Sequence, residues 1–478
     1  MTTAKIWRLT AQELVKKTIC GDITAESAIK ASIDRMQKIN PVLNAVVMDL
    51  SELALERARQ LDIDKARGKK LGPLHGLPVT IKINVDQANC PTSNGVTALK
   101  NDIAKADSPV VRNLQNAGAI VIGRTNTPEF SFRAETDNPI HGRTHNPWGE
   151  HVSVGGSSGG AAAAVMAGIG VLGHGNDIGG SLRFPASATG AVTVKPGLGR
   201  VPAWNPSQKT ERGLLAQMMS VQGLLTRSAA DLELAMPSLT KADPRDPFHV
   251  PLPYRMAPKS NKIRVAFCKE TPGFETHPEV YKALDTAAEA LDDAGYHVQD
   301  THLPFLQETG EIAYRTLMGE VSELMGPDIR ALGSNTIQAI FEEYFEQFQP
   351  FKGTKLLHMM AKRTGFARQW SLFMQDYPLI LSPFLPQPFF TPRRDEEGAE
   401  GVREVLGAAL WSYSINFIGL PAGTIPTKLC KLAKGIQPIN VQIIGQRWRE
   451  DAVVDAMIAI EDRVGTMAQN LWDVMEKN

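Results

Sequence analysis

Val154–Ala164 reads VGGSSGGAAAA, four glycines around two serines running straight into alanines. Flexible linkers are usually longer and do not lead into strong helix formers, so the stretch reads as a loop feeding a helix N-terminus. Such an end presents unpaired N–H groups and the positive end of the helix dipole, which suits a phosphate or a serine oxygen gaining negative charge. A phosphate-binding P-loop would carry Lys and then Ser or Thr after its last glycine; here Ala161 follows Gly160. A nucleotide-binding module is therefore the less favoured reading, and a catalytic serine the favoured one.

A second glycine-serine loop follows closely, GHGNDIGGSLRFPA from Gly173 to Ala186. If that turn is tight, the N–H groups of Ile178, Gly179, Gly180 and Ser181 converge as an oxyanion hole; taken alone, the segment is equally an ordinary glycine turn. A serine nucleophile needs a base, and none of the ten histidines sits in a G-x-S-x-G elbow. His141, His145 and His151 cluster in HGRTHNPWGEH, but Gly142 and Pro147 oppose the helix that a metal pair at this spacing requires, so they read as loop residues.

Outward from the two loops the chain alternates helix and strand signals. Thr24 reads as the N-cap of a helix whose apolar positions recur from Ala28 to Ile39 and stop at Asn40–Pro41. A second, charged helix is expected over Ser51–Asp64, and LPVTIKINV is a strand. VVRNLQNAGAIVIGRTN is a helix ending at Gly118 followed by the strand AIVIG; KIRVAFC with YKALDTAAEALDDAGYHVQD repeats the unit, as parallel sheets do. The start, MTTAKIWRLTAQELVKK, lacks signal-peptide features and reads as the first turns of a helix. From about Glu308 to Tyr377 the chain turns helical, with Met318, Met325, Phe341, Tyr344, Phe345 and Phe348 among its apolar residues. Helix core is the plain reading of that stripe, and a pocket wall the sharper one.

Bulk composition narrows the partners. Lys plus Arg equals Asp plus Glu at 51 each, which removes the positive field that nucleic acid or an anionic membrane would need. The longest apolar run, GAAAAVMAGIGVLG, is too short and glycine-rich to span a bilayer. Cys20, Cys90, Cys268 and Cys430 lie far apart without a C-x-x-C pair, consistent with a reducing, cytoplasmic compartment. A small-molecule partner is expected, with neither nucleic acid nor membrane.

Several separated motifs, in order and at matching spacing, together resemble the amidase signature family: GPLHGLPVTIKINV, GGSSGG and GNDIGGSLRFPA, with GRTNTPEFSF, KPGLGRV, FIGLPAGTIP and INVQIIGQRWRED around them. The resemblance covers nearly the whole chain and is weakest from about Glu308 to Tyr377. It implies an α/β fold: a large twisted mixed β-sheet covered by helices on both faces, one amidase domain over 1–478 with a variable helical substrate-cavity region at about 308–377. It implies an amide hydrolase with Ser181 as nucleophile, Ser157 as bridging serine held through a cis peptide at Gly156–Ser157, and Lys82 as base. Lys82 must then be buried and neutral, although strand alternation alone puts it with Thr80 and Asn84 on a face that would be solvated.

By the same resemblance Ile178, Gly179 and Gly180 bind the oxyanion, Ser131 and Phe132 approach substrate, and Ser158 supports the network. Asp177 and Arg183 form a buried pair that shapes the loop. No metal or organic cofactor is implied. The expected substrates are apolar or aryl amides, with carbamates (urethanes) and esters open to the same acyl chemistry, and a homodimer is the expected assembly. Val154 replaces a common proline, and Asn176 a common serine. The nearest rival is the glutaminase component of a tRNA-dependent amidotransferase, its A subunit, disfavoured because that subgroup usually has Thr and Gln where this chain has Ile178 and Phe184.

Overall fold

The computed structural model describes residues 3–256 and 262–477. One sheet of eleven strands runs through it: β1 (Val46–Asp49), β2 (Pro78–Lys82), β3 (Ile120–Thr125), β4 (Leu172–Asp177), β5 (Val192–Lys195), β6 (Val221–Thr226), β7 (Arg264–Phe267), β8 (His297–Asp300), β9 (Leu379–Pro383), β10 (Ala422–Leu432) and β11 (Gly435–Gly445). Their order is β1-β3-β2-β4-β6-β5-β10-β11-β9-β7-β8. β2 lies parallel to β3 and β4, and β7 parallel to β8 and β9, while β4–β6 and β10–β11 are antiparallel, so the sheet is mixed. Both crossover units expected from periodicity are present: helix Pro109–Asn116 leads into β3 beside β2, and helix Pro278–Asp293 joins β7 to β8.

Helices cover both faces, as neighbouring strand residues show by entering different cores. Val265, Leu379, Leu381, Val441 and Ile443 belong to one apolar cluster. Ala266, Ile380 and Ile444 belong to another, which also holds the helices of the 306–376 region. Strand side chains alternate between faces, so burial of both sets requires a layer on each side. Hence β2 is buried at every residue, and the solvated face assigned to Lys82 by alternation does not exist. A strand between two others, with helices above and below, has no wet side.

Two local readings are revised. The helix begun at Thr24 continues through Pro41 to Leu43. Pro41 lies in the final turn, where little of the hydrogen-bond ladder remains to be lost. Asn40 Oδ1 accepts the N–H groups of Ala45 and Val46 at 2.9 and 2.8 Å. At the start of the chain, Thr3–Arg8 is a 3₁₀ turn and the α-helix begins at Ala11, where Thr10 and Glu13 make a reciprocal cap. Met1 and Thr2 of the expected N-terminal helix lie outside the described residues.

Candidate active site

The opening motif folds as a loop into helix Gly159–Met166, every residue of which is buried. Its glycines and alanines serve close packing: a Cβ on Gly160 would stand 2.5 Å from the Asn126 nitrogen and 2.7 Å from the Ala45 oxygen. Drawn in this tightly, the helix start brings Ser157 and Ser158 beneath the end of β2. The peptide Gly156–Ser157 is cis.

Lys82 is fully buried. Its Nζ is 2.7 Å from Ser157 Oγ, 3.1 Å from Ser158 Oγ and 2.9 Å from Asn176 Oδ1. Burial pushes its pKa well below the usual lysine value, and the negative charge of Asp177 only partly opposes this. Ser157 and Ser158 are buried, whereas Ser181 is half-exposed and lines the same cavity as Ser157. Ser181 Oγ has no hydrogen-bond partner among the described residues, and the Ser181 carbonyl accepts the Ser158 N–H at 3.2 Å.

The loop that carries Ser181 is shaped from behind by Asp177 and Arg183, an ion pair 3.0 Å apart with both side chains fully buried. Asp177 also accepts the N–H groups of Gly180 at 2.8 Å and Leu182 at 3.1 Å, and the Asn416 amide at 3.0 Å. Burial works to raise the Asp177 pKa, but Arg183 and Lys195 outweigh it and hold the carboxyl down at about 2. Gly180 adopts φ 122°, a conformation other residues rarely take. Its N–H is committed to Asp177, so it does not join the others at the cavity. The N–H groups of Ile178, Gly179 and Ser181 have no acceptor among the described residues.

Ser131 and Phe132 both line the cavity, with Phe130 beside them. Phe130 and Ser131 hold φ of 55° and 54°. Glu129 secures this turn by accepting the Ser334 N–H at 2.9 Å, and the Phe132 ring meets Phe341 at 4.7 Å and Tyr344 at 5.3 Å. The methionine and aromatic stripe divides accordingly: Met318, Met325 and Tyr344 face the cavity, while Phe341 is buried behind Phe132. The cavity has a volume of about 660 Å³. The loop histidines go elsewhere, His145 to Glu150 and His151 to the Ile436 carbonyl.

Two features escaped the sequence reading. Asn176 registers there only as a departure from the usual serine, yet it touches Lys82 and exchanges amide hydrogen bonds with Asn84 at 3.0 and 3.3 Å. Asn84 passes the link to Ser131 Oγ at 2.8 Å. Alternation already set Asn84 on the Lys82 side of the strand; nothing local points to Asn176. The second is Arg133, whose guanidinium binds both oxygens of Asp395 at 3.0 and 2.6 Å, and Glu396 at 2.7 Å. The backbone of Arg133–Glu135 packs on Gly156, where an added Cβ would fall 2.4 Å from the Arg133 oxygen. Its partners lie in a distant segment, so no sequence signal connects them.

The family model for Amidase matches residues 27–454. The chain belongs to the amidase signature family. This amidase is 43% identical to an indoleacetamide hydrolase of Bradyrhizobium diazoefficiens over 98% of its length and 89% of the relative's. It is 30% identical to an acylamidase of Rhodococcus erythropolis, covering 95% of each chain. A solved bacterial aryl acylamidase of the family superposes with a TM-score of 0.84 at 25% identity, over 98% and 99% of the chains. The fold class expected from the sequence is therefore that of the family, and the amidase is a hydrolase of amide bonds. Among the described residues no helix is long and apolar enough to cross a membrane.

Proposed function

We propose that this amidase hydrolyses arylacetamides and related apolar amides through an acyl-enzyme on Ser181, with Ser157 as bridging hydroxyl and Lys82 as base. The observation that carries the mechanism is the buried Lys82 amine 2.7 Å from Ser157 Oγ. When neutral, Nζ has two hydrogens and one lone pair. Asn176 Oδ1 can only accept and Ser158 Oγ stands ready to, so the two hydrogens are directed there and the lone pair remains for the Ser157 hydroxyl.

Ser181 Oγ then attacks the amide carbonyl, its proton passing to Ser157 as Ser157 releases its own to Lys82. The oxyanion is met by the N–H groups left free at Ile178, Gly179 and Ser181. The C–N bond breaks as the proton returns through Ser157 to the departing nitrogen, and water hydrolyses the acyl-enzyme by the same relay. Aromatic lining at Phe132, Tyr314, Tyr344 and Tyr413 favours an aryl group, in keeping with the indoleacetamide and aryl acylamide named for its relatives. Carbamates and esters present the same carbonyl to the same nucleophile. The scattered free cysteines suit a cytoplasmic setting.

The test is a panel of indole-3-acetamide, phenylacetamide, an anilide, an aryl carbamate and glutamine, assayed with wild type and Ser181→Ala. Aryl amides should be turned over and Ser181→Ala should lose at least about a thousandfold in kcat. Turnover confined to glutamine, or full activity in Ser181→Ala, overturns the reading.

A further inference from the structure

Gln222, the second residue of β6, stands opposite Asn176 of β4 in the antiparallel ladder, which sets their Cβ atoms about 4.5–5.5 Å apart on one side of the sheet. The cores identify that side. Leu172 and Leu224, each an even number of residues from this pair, enter one apolar cluster, whereas Leu225 enters the other, which holds Tyr314 and Tyr413. Alternation therefore turns Gln222 away from those tyrosines. Its cross-strand neighbour Asn176 touches Lys82 Nζ at 2.9 Å, and the same Nζ is 2.7 Å from Ser157 Oγ.

Asn84, Asn176, Asn205 and Gln222 all line the cavity. Three of these amides donate within the wall: Asn176 to Asn84 Oδ1 at 3.0 Å, Asn84 to Ser131 Oγ at 2.8 Å, and Asn205 to the Asn84 carbonyl at 3.1 Å. Gln222 differs. Its side chain is only 9% exposed, and its Oε1 lies 2.9 Å from His174 Nε2, but its Nε2 meets no acceptor among the described residues. His174 is fully buried, and burial pushes its pKa down to about 3 against the opposing hydrogen bond to Gln222, so the ring is neutral. An amide oxygen only accepts, so the ring hydrogen is on Nε2 and the buried, partnerless Nδ1 is a bare lone pair. Reversing the Gln222 amide would move that hydrogen to Nδ1 and strand a donor in a dry site, the rarer kind of orphan. His174 thus holds the Gln222 N–H groups toward the cavity.

We propose that Gln222 donates a hydrogen bond from Nε2 to an uncharged oxygen on the amine half of the substrate, so that this amidase cleaves secondary arylacetamides whose nitrogen carries an ether or carbonyl group. This rests on the function proposed above. The departing nitrogen takes its proton through Ser157, which sits on Lys82, and Gln222 is reached from Lys82 through Asn176; the amine half therefore lies on the Gln222 side. The neighbouring groups are neutral amides, so an uncharged acceptor is matched without the compensation an ion would need. Ser181 Oγ bonds to the carbonyl carbon, the C–N bond breaks, the relayed proton goes to the nitrogen of the departing primary amine, and water releases the arylacetate. A cavity of about 660 Å³ lies mid-range among sites for drug-sized ligands, with room for a substituent on the nitrogen.

The experiment pairs N-(2-methoxyethyl)phenylacetamide with N-butylphenylacetamide, in which a methylene replaces the ether oxygen, and N-(3-methoxypropyl)phenylacetamide with its N-pentyl counterpart. Each kcat/KM ratio is taken within one enzyme, so a general loss of activity cancels. The wild type should favour the ether in at least one pair, and Gln222→Met should cut that ratio about five- to tenfold. Gln222→Glu keeps the size and the bond to His174 but turns an acceptor oxygen to the cavity, and it reads the same ratio should Gln222→Met not fold. There the ether should lose its advantage, and N-(2-aminoethyl)phenylacetamide, an ammonium at neutral pH, should gain on N-butylphenylacetamide relative to wild type. An alkyl preference of the wild type in both pairs, or ratios unchanged in the variants, overturns the proposal. Hydrolysis of phenylacetamide with none of the N-substituted amides cleaved overturns it while leaving the arylacetamide reading intact. Failure of every amide overturns both.

Discussion

Asp177→Asn separates the architecture of the loop that carries Ser181 from the chemistry proposed for it. Asp177 touches no reacting atom, yet its two oxygens hold Gly180, Leu182, Arg183 and Asn416 at once. An asparagine keeps the shape but exchanges one acceptor oxygen for a donor and leaves the Arg183 charge buried without its partner. The carboxyl pKa, lowered from 3.8 to about 2, is worth about 2 kcal/mol of stability by linkage. Stranding the arginine raises the expected loss to about 3–5 kcal/mol. In the wild type this contribution is present above the unfolded-state value near 3.8 and is lost as the pH falls toward 2, because protons then bind the unfolded chain more readily than the folded one. Urea unfolding at pH 7 should show the loss as a lower midpoint. Release of the Gly180 N–H should tilt the neighbouring N–H groups away from the oxyanion and lower kcat about 10²–10³-fold. A variant within about 0.5 kcal/mol of wild type with unchanged kcat would refute the view that this carboxylate builds the loop.

Two further predictions concern the proposed base. In the proposed mechanism Lys82 acts only when neutral, and its pKa is lowered by burial, so kcat/KM should fall on the acid side as the amine is protonated and level off above that; a profile flat down to pH 5 counts against lysine as the base. Asn176→Asp sets a carboxylate beside Nζ, where the amide oxygen now stands at 2.9 Å. The added charge favours the ammonium, so the acid limb should move up by about 1–3 pH units. An unmoved limb shows that Asn176 does not govern the lysine.

Much of this was legible along the chain because it is local. Pro109–Asn116 with β3, and β7 with its following helix, repeat the apolar spacing of crossover units; Thr24 is a cap wherever it occurs before such a helix. The two glycine-serine loops declare themselves because glycine is needed where backbone comes very close, as at Gly160, or turns sharply, as at Gly180. Other features were read wrongly or missed for the converse reason. Asn176 and Arg133 have roles set by residues far away in sequence, and Gly180 has an N–H whose direction depends on the Asp177 side chain.

By itself the sequence determined the α/β layering, the positions of Lys82, Ser157 and Ser181, and the glycines that let the chain pass tightly beside them. Only the tertiary structure decided that Lys82 is dry. Charge state follows from the dielectric around a group, and that is set by the strands on either side of β2 and the helices over it, none of which is visible in PVTIK.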